Sequence, residues 1–244
     1  MKNSVFVTIV MVIAFAIGAY IYYGVFGTAD EASLLHHIYQ GGELVIALIV
    51  LLIMNITFVF ERSFALSKAG GKGSIPKFLK NLQKKLVDGD IEGGITECDK
   101  QRGSVANIIR QGLERYQIIK GSSTSVDDKL KDIQKTVDDS TLLEVPILER
   151  NLSALSTIAS IGTMVGLLGT TIGMIRAFTA LSRGGSVDAI GLSRGISEAL
   201  VNTAGGLMVA IIGIVAYNFF ANKVDSITYM IDESRYSVIQ SLKK

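Results

Sequence analysis

Residues 151–176, NLSALSTIASIGTMVGLLGTTIGMIR, and 198–223, EALVNTAGGLMVAIIGIVAYNFFANK, decide the fold of this chain. No charge falls between Arg150 and Arg176, or between Glu198 and Lys223. At about 1.5 Å per helical residue, each run is long enough to cross a hydrocarbon layer of about 30 Å. Both carry Ser, Thr and Gly at helical spacing, which a lipid-facing anchor does not need. Helices of this kind pack tightly on other helices or border a polar path.

Composition agrees with a membrane chain. The 244 residues are 49% hydrophobic with only two prolines, the mean hydropathy is +0.42, and the apolar residues come in blocks. A net charge of +2, with acidic and basic residues interleaved, does not suit a nucleic-acid partner. Cys98 is the only cysteine, so there is no internal disulfide and no cysteine metal cluster, and a plain free thiol is expected. Adjacent His36 and His37 are not at ligand spacing, so neither a metal site nor a cofactor is expected.

Two more stretches qualify as spans, from about Val5 to Phe26 and from Leu44 to Phe60. After the second come Arg62, Lys68, Lys72, Lys77, Lys80, Lys84 and Lys85, a basic cluster that should stay cytoplasmic. Residues 27–43 hold Asp30, Glu31 and Glu43 but no Lys or Arg, and belong outside. Lys223, Arg235, Lys243 and Lys244 place the chain end inside, while Arg183 and Arg194 in the short outer loop dissent mildly. The expected fold class is therefore an all-α membrane protein, with long transmembrane helices and a helical cytoplasmic insert. The divisions are an N-terminal span 1–27, periplasmic loop 28–43, span 44–60, cytoplasmic helical domain 61–150, span 151–180, periplasmic loop and helix start 181–197, span 198–222 and cytoplasmic C-terminal helix 223–244. The first span also reads as a secretory signal, with Gly27-Thr28-Ala29 as a small-residue cleavage site. Its apolar run exceeds the usual core of about 7–15 residues, which favours a retained helix.

In the insert, Ser74 is placed to cap a helix with Pro76 in its first turn, Gly89 to end it and Asp90 to cap the next. Gly103-Ser104 interrupts again, residues 121–125 turn, and Ser125 caps a long helix expected to run into the third span with a kink near Pro146. No strand pattern of any length is present, and the charges of the insert read as a solvated helical face.

On the third span Ser153, Ser156, Ser160, Thr163 and Thr170 share one side of the helix. Gly162, Gly166, Gly169 and Gly173 form a neighbouring ridge at small-xxx-small spacing. On the fourth span Thr203, Gly206, Ala210, Gly213 and Tyr217 repeat the design. Thr170 lies six residues before Arg176 and Thr203 five after Glu198, so their hydroxyls share a depth and face either each other or a common pore. Two roles stay open for them: local bonding to helix carbonyls, or ordering water and hydrogen-bonding a carboxylate. A hydroxyl cannot carry a proton as a charged intermediate near neutrality, so a relay here needs an acid from elsewhere. Glu198 is the one acid of this chain near the membrane. With a helix starting near Ser186 it stands some turns in, paired with Arg194 one turn before or with Arg176; both an interfacial ion pair and a functional acid fit.

These residues resemble the ExbB/TolQ/MotA proton-channel family, closest to its ExbB branch. The resemblance lies in Leu148-Glu149-Arg150-Asn151-Leu152, in the run Gly166-Leu167-Leu168-Gly169-Thr170-Thr171-Ile172-Gly173 through Arg176-Ala177-Phe178, in Gly195-Ile196-Ser197-Glu198-Ala199-Leu200 through Gly205-Gly206-Leu207, and in Ala216-Tyr217-Asn218. Thr163 and Ile212 stand where family members commonly have proline, and a four-span plan departs from the usual three of ExbB proteins. The resemblance implies a ring, a homopentamer in the bacterial inner membrane, around transmembrane helices of an ExbD-like partner that each carry an aspartate. It implies that Thr170 and Thr203 line the proton path, that Glu198 is the pore glutamate, and that motion passes through a TonB-like protein to outer-membrane transport. TolQ- or MotA-type stators for envelope maintenance or motility, and a passive membrane scaffold, are the competing readings. Enzyme function is not expected, since no nucleophile–base pair or metal constellation stands out.

Overall fold

Helix accounts for every regular element among the described residues, which in this computed structural model are 2–30, 33–121, 125–182 and 188–242. Helix α1 (Lys2–Tyr20) continues as a π-helical turn, Ile21–Phe26, followed by short α2 (Leu34–Tyr39) and long α3 (Leu44–Ala69). Then come α4 (Ile75–Val87), α5 (Ile91–Gln101), α6 (Gly103–Ile119), α7 (Val126–Glu149), α8 (Leu152–Ser182) and α9 (Ala189–Leu242). Four helical stretches are long and apolar enough to cross a membrane: Val7–Phe26, Leu44–Ala69, Val126–Ser182 and Ala189–Leu242. The chain is a multi-pass membrane protein. It divides into two compact units, residues 1–61 with 151–218 and residues 62–150 with 219–244.

In the first unit α8 and α9 run antiparallel at close range because glycine leaves their backbones bare. A methyl on Gly166 would stand 3.0 Å from the Gly206 Cα, and one on Gly173 only 2.6 Å from the Gly195 carbonyl oxygen. Helix α3 joins them through Asn55, fully buried, whose Nδ2 donates to the Val209 carbonyl at 3.0 Å. Helix α1 packs on α3 where Gly18 faces Val50. The segment between α1 and α3, expected as a plain loop, contains α2, capped by Ser33, whose side chain accepts from the His36 N–H.

The second unit is a helical domain whose core comes from one face of each helix. Phe78, Leu82 and Leu86 of α4, Ile108, Ile109 and Leu113 of α6, Ile133 and Val137 of α7, and Ile227, Ile231 and Val238 of α9 are all buried. Gly89, at φ 75°, follows α4, and the Asp90 carboxylate accepts from the Gly93 N–H at the start of α5. Ser125 caps α7 by accepting from the Asp128 N–H. Ser74 occupies the N-cap of α4, but its side chain makes no capping bond.

One expectation is corrected. Pro146 lies inside α7, and the interruption before the third span falls at Arg150 and Asn151. Arg150 is extended (ψ 139°) and Asn151 sits at φ 62°. Asparagine is among the few side chains that adopt this left-handed conformation at little cost, whereas proline removes one hydrogen bond without having to stop a helix. The Asn151 amide then donates to the Glu61 carboxylate at 3.3 Å. The Gly121–Ser125 turn falls largely on 122–124, and the helix start near Ser186, with Arg183, falls on 183–187; both lie outside the described residues.

Candidate functional site

The polar features of the first unit converge on α8 and α9. Thr170 and Thr203 stand half-buried on facing sides, and their Oγ1 atoms approach to 2.5 Å. Each also lies within reach of a carbonyl one turn back, Thr170 with Gly166 at 3.1 Å and Thr203 with Ala199 at 3.0 Å. Two hydroxyl protons serve these three contacts, so one of the three lacks a hydroxyl proton at any moment. The oxygens also keep lone pairs free, so the pair can accept a hydrogen bond from water or from a protonated acid. Of the two orientations left open by spacing, the threonines face each other.

Three further hydroxyls of the stripe bond back to their own helix. Ser156 donates to the Ser153 carbonyl, Ser160 to that of Ser156 and Thr163 to that of Ala159. These groups are spent within their own helix, the familiar behaviour of hydroxyls in membrane helices. Among the threonines and serines of this stripe, Thr170 alone also reaches a side chain on another helix.

Six residues along α8, about 9 Å by helical rise, Arg176 Nη1 donates to both Glu198 carboxylate oxygens at 2.7 Å. Glu198 stands in the third turn of α9 and its side chain is 8% exposed, against 62% for Arg176. Of the two partners left open for Glu198, the fork is filled from α8: Arg176 reaches across the helix pair, and Arg194 makes no ion pair with Glu198 among the described residues. Both arginines border a cavity of about 690 Å³ with His36, Tyr39, Asp188 and Glu198. Asp188 is also spent as a cap, its Oδ1 accepting from the Gly191 N–H at 2.8 Å.

Three groups at this site were not singled out by sequence. Asn202, fully buried, donates from Nδ2 to the Gly41 carbonyl at 2.7 Å and the Glu198 carbonyl at 2.9 Å, while its Oδ1 has no partner. Gly41 and Gly42 bring the turn before α3 against α9. Gly42 has φ 76°, and a Cβ there would lie 2.8 Å from Glu198 Oε1. The double glycine ahead of an apolar run and the lone Asn55 inside one were the available signals. Glycines 162, 166, 169, 173 and 206 are all buried between α8 and α9, with Gly162 against Val209 and Gly169 against Asn202.

The model of the MotA/TolQ/ExbB proton channel family matches residues 100–233. The chain is 40% identical over 86 residues to a putative biopolymer transport protein, ExbB-like 3, of Synechocystis sp., covering 34% of this chain and 41% of that protein. It is 39% identical over 84 residues to the Tol-Pal system protein TolQ of Haemophilus influenzae, covering 34% and 37%. It is 36% identical over 113 residues to the biopolymer transport protein ExbB of Aquifex aeolicus, covering 46% of this chain and 69% of that one. The first two alignments thus span less than half of the relatives' own length.

Proposed function

This chain belongs to the MotA/TolQ/ExbB proton channel family, and from that premise we propose that it is an ExbB-like stator subunit. It works in the bacterial inner membrane, as a homopentamer enclosing helices of an ExbD-like partner, and spends the proton motive force on TonB-dependent outer-membrane transport. The observation that carries the reading is the 2.5 Å approach of Thr170 and Thr203. It offers hydrogen-bond acceptors within a membrane helix pair but no group that can hold a proton's charge.

The partner's aspartate supplies that group. Bare in hydrocarbon, a carboxylate is costly; protonation from the outer side neutralises it, and release to the cytoplasm restores its charge. Thr170 and Thr203 steady the neutral acid by accepting its proton-bearing hydrogen bond. Glu198, held by Arg176, places an ion pair about two turns away. The alternating charge drives the enclosed helices to step, and a TonB-like protein passes the motion outward.

The similarity to TolQ favours a second reading within the family, a stator for envelope maintenance; a MotA-type motility role shares the same site chemistry. The carbonyl bonds of both threonines favour a third, a passive scaffold in which the hydroxyls only join helices. Co-purification with a single-span, aspartate-bearing protein and reconstitution in vesicles separates these. Proton uptake that requires both chains and stops with the partner's Asp→Asn variant is the expected result. A complex that forms but passes no protons speaks for the scaffold. Restoration of TonB-dependent uptake, rather than envelope integrity or motility, in a strain lacking its own stator selects among the three machines.

A further inference from the structure

The second unit carries a cluster of unspent hydrogen-bond donors that the proton path does not use. Between α3 and α4 the chain turns through Gly71 at φ 74° and Gly73 at φ 88°. Behind the turn lies Gln101, the last residue of α5, whose carbonyl accepts from the Lys72 N–H at 2.6 Å. Gln101 is 7% exposed, and its Nε2 is buried with no hydrogen-bond partner. A buried N–H without an acceptor is rare enough to call for a reason.

Gln101 lines a cavity of about 180 Å³ together with Lys72, Ser74, Lys77, Glu97 and Lys100. Helix α4, 13 residues long, starts at this cavity; the Ser74 side chain leaves its first-turn N–H groups uncapped, and a helix start favours an anion. The one carboxylate here is already committed: Glu97 accepts from Lys100 at 2.9 Å and lies 3.6 Å from Lys85. The bond from Lys100, ahead of the other effects, holds its carboxyl below the usual carboxylate range. Lys72 and Lys77 make no ion pair among the described residues. On the other side of the turn, Lys72 also borders a cavity of about 800 Å³ with Lys68, Arg102, Ser104 and Asn107, and no Asp or Glu lines it.

We propose that the Gly71–Gly73 turn and its flanks form a binding site for a phosphate group, borne by an anionic phospholipid or by a soluble phosphate. The phosphate occupies the smaller cavity, accepting from Gln101 Nε2, the Lys72 and Lys77 ammonium groups and the start of α4. The remainder of a larger ligand lies along Lys68 and Arg102. The charged oxygens of a phosphate accept, and Gln101 Nε2, the two ammonium groups and the start of α4 donate. A metal cation is excluded by the same inventory, because the single carboxylate is already taken.

The full chain, purified in a neutral detergent, tests this with two probes: inorganic phosphate, and phosphatidylglycerol in mixed micelles against phosphatidylcholine. Saturable binding of at least one is expected. Phosphatidylglycerol alone assigns the site to a lipid headgroup, and inorganic phosphate alone, or with the lipid, to a soluble anion. Lys77→Gln should weaken that binding about fivefold. Gln101→Leu should weaken it too, while raising the melting temperature of the ligand-free protein by removing the unmet donor. Lys77 is exposed, so its variant decides the matter even if Gln101→Leu misfolds. Binding of neither probe, or affinity unchanged by Lys77→Gln, overturns the proposal.

Discussion

Replacing Thr170 or Thr203 by valine removes a hydroxyl and keeps the branched shape. In Thr203→Val the interhelical contact and the bond to Ala199 disappear, yet the Thr170 hydroxyl still reaches the Gly166 carbonyl at 3.1 Å. Thr170→Val mirrors this, leaving Thr203 with Ala199. Neither variant strands a buried donor, so the structural loss is one interhelical hydrogen bond, about 1 kcal/mol in a membrane. That is roughly a fivefold change in any equilibrium that depends on it.

A role in the proton route gives a different size and pattern. If the pair must accept from a neutral acid during transfer, either valine should cut proton uptake by about a hundredfold or more. The double variant should lose little beyond each single one, because the two hydroxyls act as a unit. Thr→Ser at either position keeps the hydroxyl and should retain most of the flux. The assay is proton uptake into vesicles holding the chain with the proposed aspartate-bearing partner, normalised to assembled complex. Single valine variants within about fivefold of the wild type would refute the route and leave only the packing bond.

The other outcomes concern the ion pair, the glycine seam and the thiol. On the proposed reading Glu198→Gln should preserve assembly with the partner and lower coupling, whereas Arg176→Gln leaves a carboxylate of 8% exposure unpaired and should cost stability. The cost is about 2 kcal/mol, below the 3–5 of a fully buried pair because Arg176 is itself exposed; equal melting losses for the two would contradict this. Gly173→Ala meets the Gly195 and Ala199 backbone at 2.6 Å, while Gly162→Ala meets the Val209 side chain. The first should therefore destabilise the folded chain by about 1–3 kcal/mol and the second by less, read by thermal unfolding in detergent. Cys98, buried at 2% exposure, has its thiol pushed up from 9.0 to about 12 by burial. The unfolded chain therefore deprotonates first as pH rises, so this thiol's contribution is intact below pH 9 and is lost between 9 and about 12. Alkylation of the folded protein at neutral pH should be slow, and Cys98→Ala should flatten the alkaline loss.

Much of this was legible in the sequence because membrane physics leaves few choices. Uncharged runs of span length must be helices, and Gly166, Gly169 and Gly173 at four- and three-residue steps announce a close neighbour. Capping residues such as Asp90 and Ser125 marked helix starts through chemistry that acts within a single turn. What stayed hidden depended on partners distant in the chain. Spacing put both Arg194 and Arg176 within reach of Glu198, and only the register of α8 on α9 selects between them. Asn202 sat unremarked beside Thr203, since its acceptor is the carbonyl of Gly41, 161 residues away. Proline advertises itself and points to a kink near Pro146, while the left-handed Asn151 that separates α7 from α8 leaves no mark in composition.

That register has a mechanical consequence. Thr170 opposes Thr203, Gly173 opposes Ala199 and Gly195, and Arg176 opposes Glu198, so each step forward on α8 is a step back on α9. Between the hydroxyl pair and the ion pair, Gly173 meets the Ala199 and Gly195 backbone, and the buried Asn202 side chain packs on Gly169. Sliding one helix by a residue would drive the Gly173 Cα toward the Ala199 backbone and part both polar pairs at once. The contacts between α8 and the first turns of α9 therefore oppose a sliding of one on the other. On the reading proposed above, the moving part is the guest helix with its acid. The helix pair supplies the hydroxyl acceptors and the Arg176–Glu198 ion pair, past which that acid is carried.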